Sequence, residues 1–206
     1  MKEIRKLTNK ETIELRAFTD EESSKRFLTG YAAVFNSQSK MIVERHNNKT
    51  IAFYEFINRS AFDRVLEKNE DTLAVINHNK ERMLGRTSSG TLKLETDDKG
   101  LKFTLDVPDT QEGRDLWIMV ERGDYSECSF AFLCEKDEWE RGSELPHRTI
   151  QEVSRLIDIS IVTNGAYSQT SVATSAERSI SELYDNEDSH IIENEHKRLK
   201  LELLSL

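Results

Sequence analysis

Short segments with β-strand patterning recur along this chain from about residue 12 to residue 162, and they constrain the fold more than any other feature. Apolar and polar residues alternate from Thr12 to Phe18, and an apolar segment with a central glycine spans Arg26 to Phe35. Alternation of this kind is typical of strands that bury one face. We expect further strands at 72–78, 125–134 and 147–162.

A hairpin is predicted in the middle of the chain. The segments 90–96 and 101–107 both have strand patterning, and Asp97-Asp98-Lys99-Gly100 between them has the composition of a tight turn. Residues 37–50 are polar and are expected to form a mobile loop.

Two helices are expected between these strands. Ser60-Ala61-Phe62-Asp63 has capping-box character and predicts a helix that runs to about Asn69. Asp109 together with Glu112 predicts the start of a second helix, which ends near Arg122. Seven or more strands with two inserted helices favour a mainly β fold with flanking helices (α+β). A closed or nearly closed β-barrel is expected rather than a parallel βαβ sheet.

Charge excludes several classes of partner. The 206 residues include 29 Lys and Arg against 38 Asp and Glu, which gives a formal net charge of −9. Binding to nucleic acid or to an anionic membrane surface requires clustered cations, so neither partner is expected. The start of the chain has no secretory-signal pattern, and no apolar run approaches the length of a membrane span. We therefore expect a cytosolic protein.

The last 33 residues differ from the rest. Residues 174–206 contain eight acidic and four basic residues and end in a helix candidate at about 191–204. We predict a domain over 1–173 and an acidic C-terminal extension over 174–206. Composition leaves two interpretations open: a solvated tail whose helix docks or self-associates, or an extension that is removed or binds a partner.

Three polar residues interrupt segments that otherwise have buried-strand patterning. His78 ends an apolar strand and is expected to share a face with Ala74 and Ile76. Ser129 is expected to point away from Phe130 and Phe132. Asp158 is expected to face the same side as Leu156, Ser160 and Val162. A buried carboxylate must be paired or hydrogen-bonded, and a histidine is a suitable partner.

A serine, a histidine and an acid are the components of a nucleophilic hydrolase. The imidazole takes the proton of the weakly nucleophilic serine hydroxyl, and the acid orients the imidazole. The alternative is a core His–Asp pair with an ordinary strand serine. Ser126 is a second candidate nucleophile but is expected on the opposite strand face, and Ser160 is expected to be a supporting hydrogen-bond partner.

Other chemistries have little support in the sequence. The five histidines are scattered, and neither HExxH nor CxxC spacing occurs, so no catalytic metal and no cofactor are expected. Cys128 and Cys134 would be about 20 Å apart along a strand, too far for a disulfide. Both are expected to be reduced and to pack in the interior.

Several local sequences together resemble the prohead (capsid maturation) protease family of tailed bacteriophages, which is related to the herpesvirus assemblin proteases. The resemblance covers about residues 12–173. The sequences that carry it are Gly30-Tyr31-Ala32-Ala33-Val34-Phe35, Phe56-Ile57-Asn58-Arg59-Ser60-Ala61-Phe62, Asn77-His78-Asn79 with Leu84-Gly85, Gly100-Leu101, Gly123-Asp124, Cys128-Ser129-Phe130-Ala131-Phe132 and Leu156-Ile157-Asp158-Ile159-Ser160-Ile161-Val162-Thr163.

The resemblance implies an assemblin-like β-barrel surrounded by helices and a serine endopeptidase with Ser129 as nucleophile, His78 as base and Asp158 as third member. The chain departs from the family pattern at three positions. Asp158 replaces the usual Glu, Gly165 stands where Pro is common, and Ala131 replaces a frequent Gly beside the nucleophile.

The resemblance also implies partners and a location. The substrates would be a scaffold protein or the scaffold-like segment of the major capsid protein, inside a procapsid assembling in the host cytoplasm. Many members cleave themselves, and assemblin relatives form dimers, so a homodimer or higher homo-oligomer is expected. The alternative function is a non-catalytic capsid-assembly or scaffold-binding protein on the same fold.

Overall fold

Paired β-strands account for most of the described chain. The computed structural model describes residues 2–7, 15–21, 25–46, 49–141 and 144–163. Within these ranges there are eleven strands, two α-helices and a short 3₁₀ turn at Thr87–Ser89. The strands are β1 Lys2–Leu7, β2 Arg16–Thr19, β3 Arg26–Val34, β4 Ile42–His46, β5 Lys49–Ile57, β6 Leu73–Ile76, β7 Asn79–Arg86, β8 Leu92–Thr96, β9 Gly100–Asp106, β10 Glu127–Glu140 and β11 His147–Val162. The helices are α1 Asp63–Glu67 and α2 Gln111–Arg122.

The larger sheet is organised around β11, its longest strand. The order β1-β10-β11-β5-β4 makes up most of this seven-stranded sheet, and the β6–β7 hairpin joins it through β6. β10 pairs with β11 along its whole length in an antiparallel arrangement. On the other side, the first part of β11 pairs in parallel with β5 and the last part pairs in parallel with β6. The end of β11 therefore lies between β10 and β6.

The smaller sheet has the order β2-β3-β9-β8 and shares one apolar core with the larger sheet. Leu101, Phe103 and Leu105 alternate along β9 and are buried, as the hairpin pattern predicts. Phe130 and Phe132 of β10 lie in the same core. The buried faces of the two sheets therefore meet. Residues that alternate with Phe130 and Phe132 along β10, such as Ser129 and Ala131, face the other side of the larger sheet.

The prediction of a mainly β fold with a few helices is confirmed, as is the hairpin formed by β8 and β9. Among the described strands the pairing does not close into a ring, so barrel closure of the assemblin type stays a prediction.

Residues 37–41 are in neither a helix nor a strand, but the prediction of a loop is wrong from residue 42 onward. Ile42–His46 and Lys49–Ile57 form an antiparallel hairpin at the edge of the larger sheet. Glu44 of this hairpin is buried although it is charged. Hydropathy alone therefore does not identify the strand, because edge-strand pairing uses backbone groups that are independent of side-chain polarity.

Both helices are present, but their starts differ from the sequence prediction. α1 is shorter than expected, its N-cap is Phe62, and the Ser60 hydroxyl hydrogen-bonds Asn58 instead of capping the helix. α2 is capped by Thr110, whose hydroxyl accepts a hydrogen bond from the Gly113 N–H at 3.2 Å.

The predicted boundary at residue 173 and the acidic extension over 174–206 lie outside the described residues, which end at residue 163. In the part of the chain that is described, no helix has the length and apolar character needed to span a membrane.

Candidate active site

Three neighbouring strands of the larger sheet bring together the polar residues singled out in the sequence. Ser129 of β10 pairs directly with Ser160 of β11, and Asp158 of β11 pairs with Leu73 of β6 on the other side. His78 follows the end of β6. Since β6, β11 and β10 are adjacent, residues from distant parts of the sequence lie on one face of one sheet.

His78 occupies a two-residue turn and is not in the strand itself. Ile76 pairs with Asn79 across the β6–β7 hairpin, which leaves Asn77 and His78 as the turn. Both residues have left-handed backbone conformations, with φ of 51° and 57°. The expectation that His78 continues the alternation of Ala74 and Ile76 is therefore wrong. Positive φ at both positions is the requirement of a type I′ hairpin turn.

The His78 ring bridges the serine and the acid. Its Nδ1 lies 2.6 Å from Asp158 Oδ1, and its Nε2 lies 2.7 Å from Ser129 Oγ. An ionised carboxylate can only accept, so Nδ1–H donates to Asp158. In the neutral ring Nε2 then accepts the hydrogen bond that the Ser129 hydroxyl donates. This arrangement lets the imidazole remove the serine proton.

A β-bulge at Ile157 puts Asp158 and Leu156 on opposite faces of β11. Ala131 pairs with Asp158 whereas Phe132 pairs with Leu156, so Ile157 is an extra residue in β11. Leu156 lies in the apolar core, and Asp158 points to the opposite face. The expectation that Leu156 and Asp158 share a face is wrong because one extra residue reverses the alternation. The regular pairing from Glu127 to Ala131 places Asp158 on the same face as Ser129 and Ser160, and the bulge places Leu156 in the core.

Ser160 supports the histidine turn, as expected. Its hydroxyl accepts a hydrogen bond from the His78 backbone N–H at 2.8 Å and donates to the Val75 carbonyl at 3.3 Å. The Asn77 N–H donates to the Ile161 carbonyl. Both turn residues are therefore tied to β11, the strand that carries Asp158.

The side chains of Ser129, His78 and Asp158 are withdrawn from solvent. Ser129 and Asp158 are fully buried, and the His78 side chain is 10% exposed. A peptide carbonyl can reach the Ser129 hydroxyl only after neighbouring segments move. Cys128 does not compete as a nucleophile because burial, and secondarily the neighbouring Glu127 carboxylate, raise the pKa of its thiol well above the usual range.

A second buried polar network lies in the same sheet, around Arg148. Its guanidinium donates to Glu3 of β1 at 2.5 and 3.0 Å, to Glu55 at 3.1 Å and to Asp137 at 2.7 Å. Burial alone would lower the pKa of Arg148, but the three carboxylates outweigh it and hold that pKa well above its usual value. The network attaches β1 to the sheet, and β1 forms the outer neighbour of β10 beside Ser129.

Comparison with protein-family models identifies the family of this chain. Residues 11–185 match the model described as Caudovirus prohead serine protease, which is more than half of the chain. The chain belongs to the prohead serine protease family. No curated protein sequence matches it.

This prohead protease family member also resembles a solved structure, the bacteriophage T4 capsid assembly protease, gp21. The two share 12% sequence identity with a TM-score of 0.45, and the match covers 79% of this chain and 99% of the other.

Among the described residues, no group of three or more His, Cys, Asp or Glu side chains is arranged to hold a metal ion. Ser126 precedes β10 and does not contribute to the histidine contacts. Sequence analysis missed one notable residue, Glu127. It stands two positions before Ser129 and is almost completely buried.

Proposed function

We propose that this chain is a serine endopeptidase in which Ser129, His78 and Asp158 form the catalytic triad. The contact of one imidazole with both the Ser129 hydroxyl and the Asp158 carboxylate carries this proposal. An ordinary strand serine would not need a histidine at hydrogen-bond distance, and membership of a serine protease family supports the same assignment.

In the proposed mechanism, Ser129 Oγ attacks the scissile peptide carbonyl while His78 Nε2 takes its proton. The imidazolium that forms is stabilised by Asp158, which also keeps the remaining proton on Nδ1. His78 then protonates the leaving amine, which releases the first product. Water, deprotonated by the same ring, attacks the acyl-enzyme, and the proton returns to Ser129. Backbone N–H groups would stabilise the oxyanion.

The proposed substrate is the scaffold protein or the scaffold-like segment of the major capsid protein, cleaved inside the procapsid in the host cytoplasm. Support comes from the family to which the chain belongs. An assemblin-like barrel and assembly into a homodimer or larger homo-oligomer are part of the same proposal. Neither nucleic acid nor a membrane is a proposed partner, in keeping with the net charge of −9.

Co-expression with the major capsid protein of the same phage tests the proposal. The wild-type chain should shorten the capsid or scaffold protein, and Ser129→Ala should abolish the cleavage, with a rate loss on the order of 10³-fold or more. Ser126→Ala is the matched control and should cleave as the wild type does. Equal processing by Ser129→Ala and wild type would reject the assignment of Ser129 and favour a non-catalytic assembly role.

We further propose that residues 174–206 are removed during maturation. Intact-mass measurement of wild type and Ser129→Ala, each expressed with the capsid protein, distinguishes self-cleavage from an uncut tail. The wild type should lose a C-terminal fragment that the variant keeps. The same full-length mass in both samples would reject self-cleavage.

A further inference from the structure

Glu127 is a buried carboxylate beside the nucleophile that the triad does not use. It is 4% exposed, and no residue in the described ranges donates a hydrogen bond to its Oε2 atom. It opens β10 and pairs with Val162 of β11. Burying a carboxylate without a donor is costly, and native proteins rarely leave such a group uncompensated.

Three other buried carboxylates of this sheet are compensated by a cation. Glu3, Glu55 and Asp137 all accept hydrogen bonds from Arg148. The Glu127 Oε2 atom accepts no such hydrogen bond from the described residues. A molecule that binds at this face would supply the missing donor.

The position of Glu127 relative to Ser129 indicates that the molecule is the substrate peptide. The pairing of β10 with β11 is regular from Glu127 to Ala131, so Glu127 and Ser129 share a strand face. Their Cα atoms are about 7 Å apart at the rise of an extended strand. A substrate peptide in extended conformation has the same repeat. When its scissile carbonyl is at Ser129, a side chain one or two residues away comes within reach of Glu127.

We propose that Glu127 determines specificity by binding a Lys or Arg side chain of the substrate, within two residues of the scissile bond. This inference rests on the proposed peptidase function. A cationic side chain supplies both the missing hydrogen bond and the opposite charge, whereas a substrate backbone N–H would supply only the hydrogen bond. The motion that opens Ser129 to a peptide would expose Glu127 as well, because both lie on one face of one strand.

The test uses the full-length chain co-expressed with the major capsid protein of the same phage, with the cleavage site mapped by mass spectrometry of the products. A Lys or Arg should lie within two residues of the scissile bond. Its replacement by Met in the capsid protein should lower the initial cleavage rate at least about 10-fold, which is the usual effect of losing a hydrogen bond between charged groups. In Glu127→Gln, the ratio of the rates for the Lys/Arg and Met substrates should fall to near one.

Glu44→Gln is the matched control, since Glu44 is also 4% exposed but lies in β4, at the far edge of the sheet. It should keep the substrate ratio of the wild type. If Glu127→Gln fails to fold, the wild-type enzyme still tests the inference. Its cleavage rate should be at least about 10-fold higher for the Lys/Arg substrate than for the Met substrate, and equal rates would overturn the inference. Ser129-dependent cleavage without a nearby basic residue, or with an unchanged ratio in Glu127→Gln, overturns this inference and leaves the peptidase proposal intact. Absence of Ser129-dependent cleavage overturns both.

Discussion

Ser129 and Ser160 lie directly opposite each other in the antiparallel pair of β10 and β11. One hydroxyl is hydrogen-bonded to the His78 ring and the other to the His78 backbone N–H. A single cross-strand pair therefore fixes both the ring and the turn that carries it. The geometry of the site depends on strand register as much as on residue identity.

Asp158→Asn should lower kcat/KM by about 10³- to 10⁴-fold, because an asparagine amide does not hold the ring in the tautomer that accepts the serine proton. Peptidase rates on the co-expressed capsid protein measure the effect. Asp158→Glu restores a carboxylate with one more methylene and should recover part of the activity. Full activity of Asp158→Asn, with the fold intact by circular dichroism, would contradict a role for Asp158.

Ser160→Ala should weaken catalysis about 10-fold or more and destabilise the protein by about 1 kcal/mol. The variant removes the acceptor for the His78 N–H, so the strained turn is less well held and the ring is displaced. Ser154→Ala is the control, since it also removes one side-chain hydrogen bond of β11, to the Leu133 carbonyl. Ser154→Ala should lose stability but not activity; an equal loss of activity in both variants would argue against a positioning role.

Arg148→Ala should destabilise the chain by about 3–5 kcal/mol, because it leaves three buried carboxylates without their cation. Urea unfolding measures the change. Arg148→Lys should be intermediate, since lysine keeps the charge but cannot reproduce the guanidinium fork. Arg64→Ala, which breaks a surface ion pair with Glu152, should have a small effect. Similar unfolding midpoints for Arg148→Ala and wild type would show that the network adds little stability.

Gly100→Ala should cost about 1–3 kcal/mol or more, because a Cβ there would lie 2.0 Å from the Ala33 carbonyl oxygen. The clash is with backbone of β3, so no side-chain rotation relieves it. Gly90→Ala provides the comparison: its φ of 73° makes alanine strained by about 1 kcal/mol, but no atom lies within 4 Å. A smaller loss of stability in Gly100→Ala than in Gly90→Ala would contradict this packing.

The stability contributed by Asp71 should depend on pH. The hydrogen bond from Arg86 holds the pKa of the Asp71 carboxyl well below its usual value, and Ser88 adds to the effect. Since the folded-state pKa is lowered, the contribution is complete above about pH 5 and declines as the pH falls past about 4, where the unfolded chain takes up the proton. Urea titrations of wild type and Asp71→Asn should therefore differ at pH 7 and converge in acid. A difference that stays constant down to pH 3 would contradict the expected linkage.

Much of the local structure follows from sequence patterns. The β8–β9 hairpin has a turn between alternating segments, and α2 ends with Gly123 in a left-handed conformation. The opposite orientation of Ser129 and the core phenylalanines follows from the two-residue period of a strand. Each of these features depends on residues that are close in the chain.

Other features do not follow from sequence patterns. β1 and β7 have no clear strand pattern, and the polar composition of residues 37–50 predicts a loop where β4 and the start of β5 lie. The bulge at Ile157 exists only in the pairing of β10 with β11, so it could not be recognised in β11 alone. The burial of Glu3, Glu55 and Asp137 could not be recognised from the sequence either. These carboxylates are tolerated in the interior because Arg148, which is distant in the chain from Glu3 and Glu55, pairs with all three.

The sequence by itself determined the mainly β composition, the candidates Ser129, His78 and Asp158, and the family resemblance that connects them. Only the tertiary structure decided that these side chains meet, since His78 is 51 residues from Ser129 and 80 from Asp158. Their meeting requires β6, β11 and β10 to be neighbours in the correct register, which places Asp158 and Ser129 on the same face of the sheet. Register is a property of paired strands, and a slip of one residue would send every side chain to the opposite face.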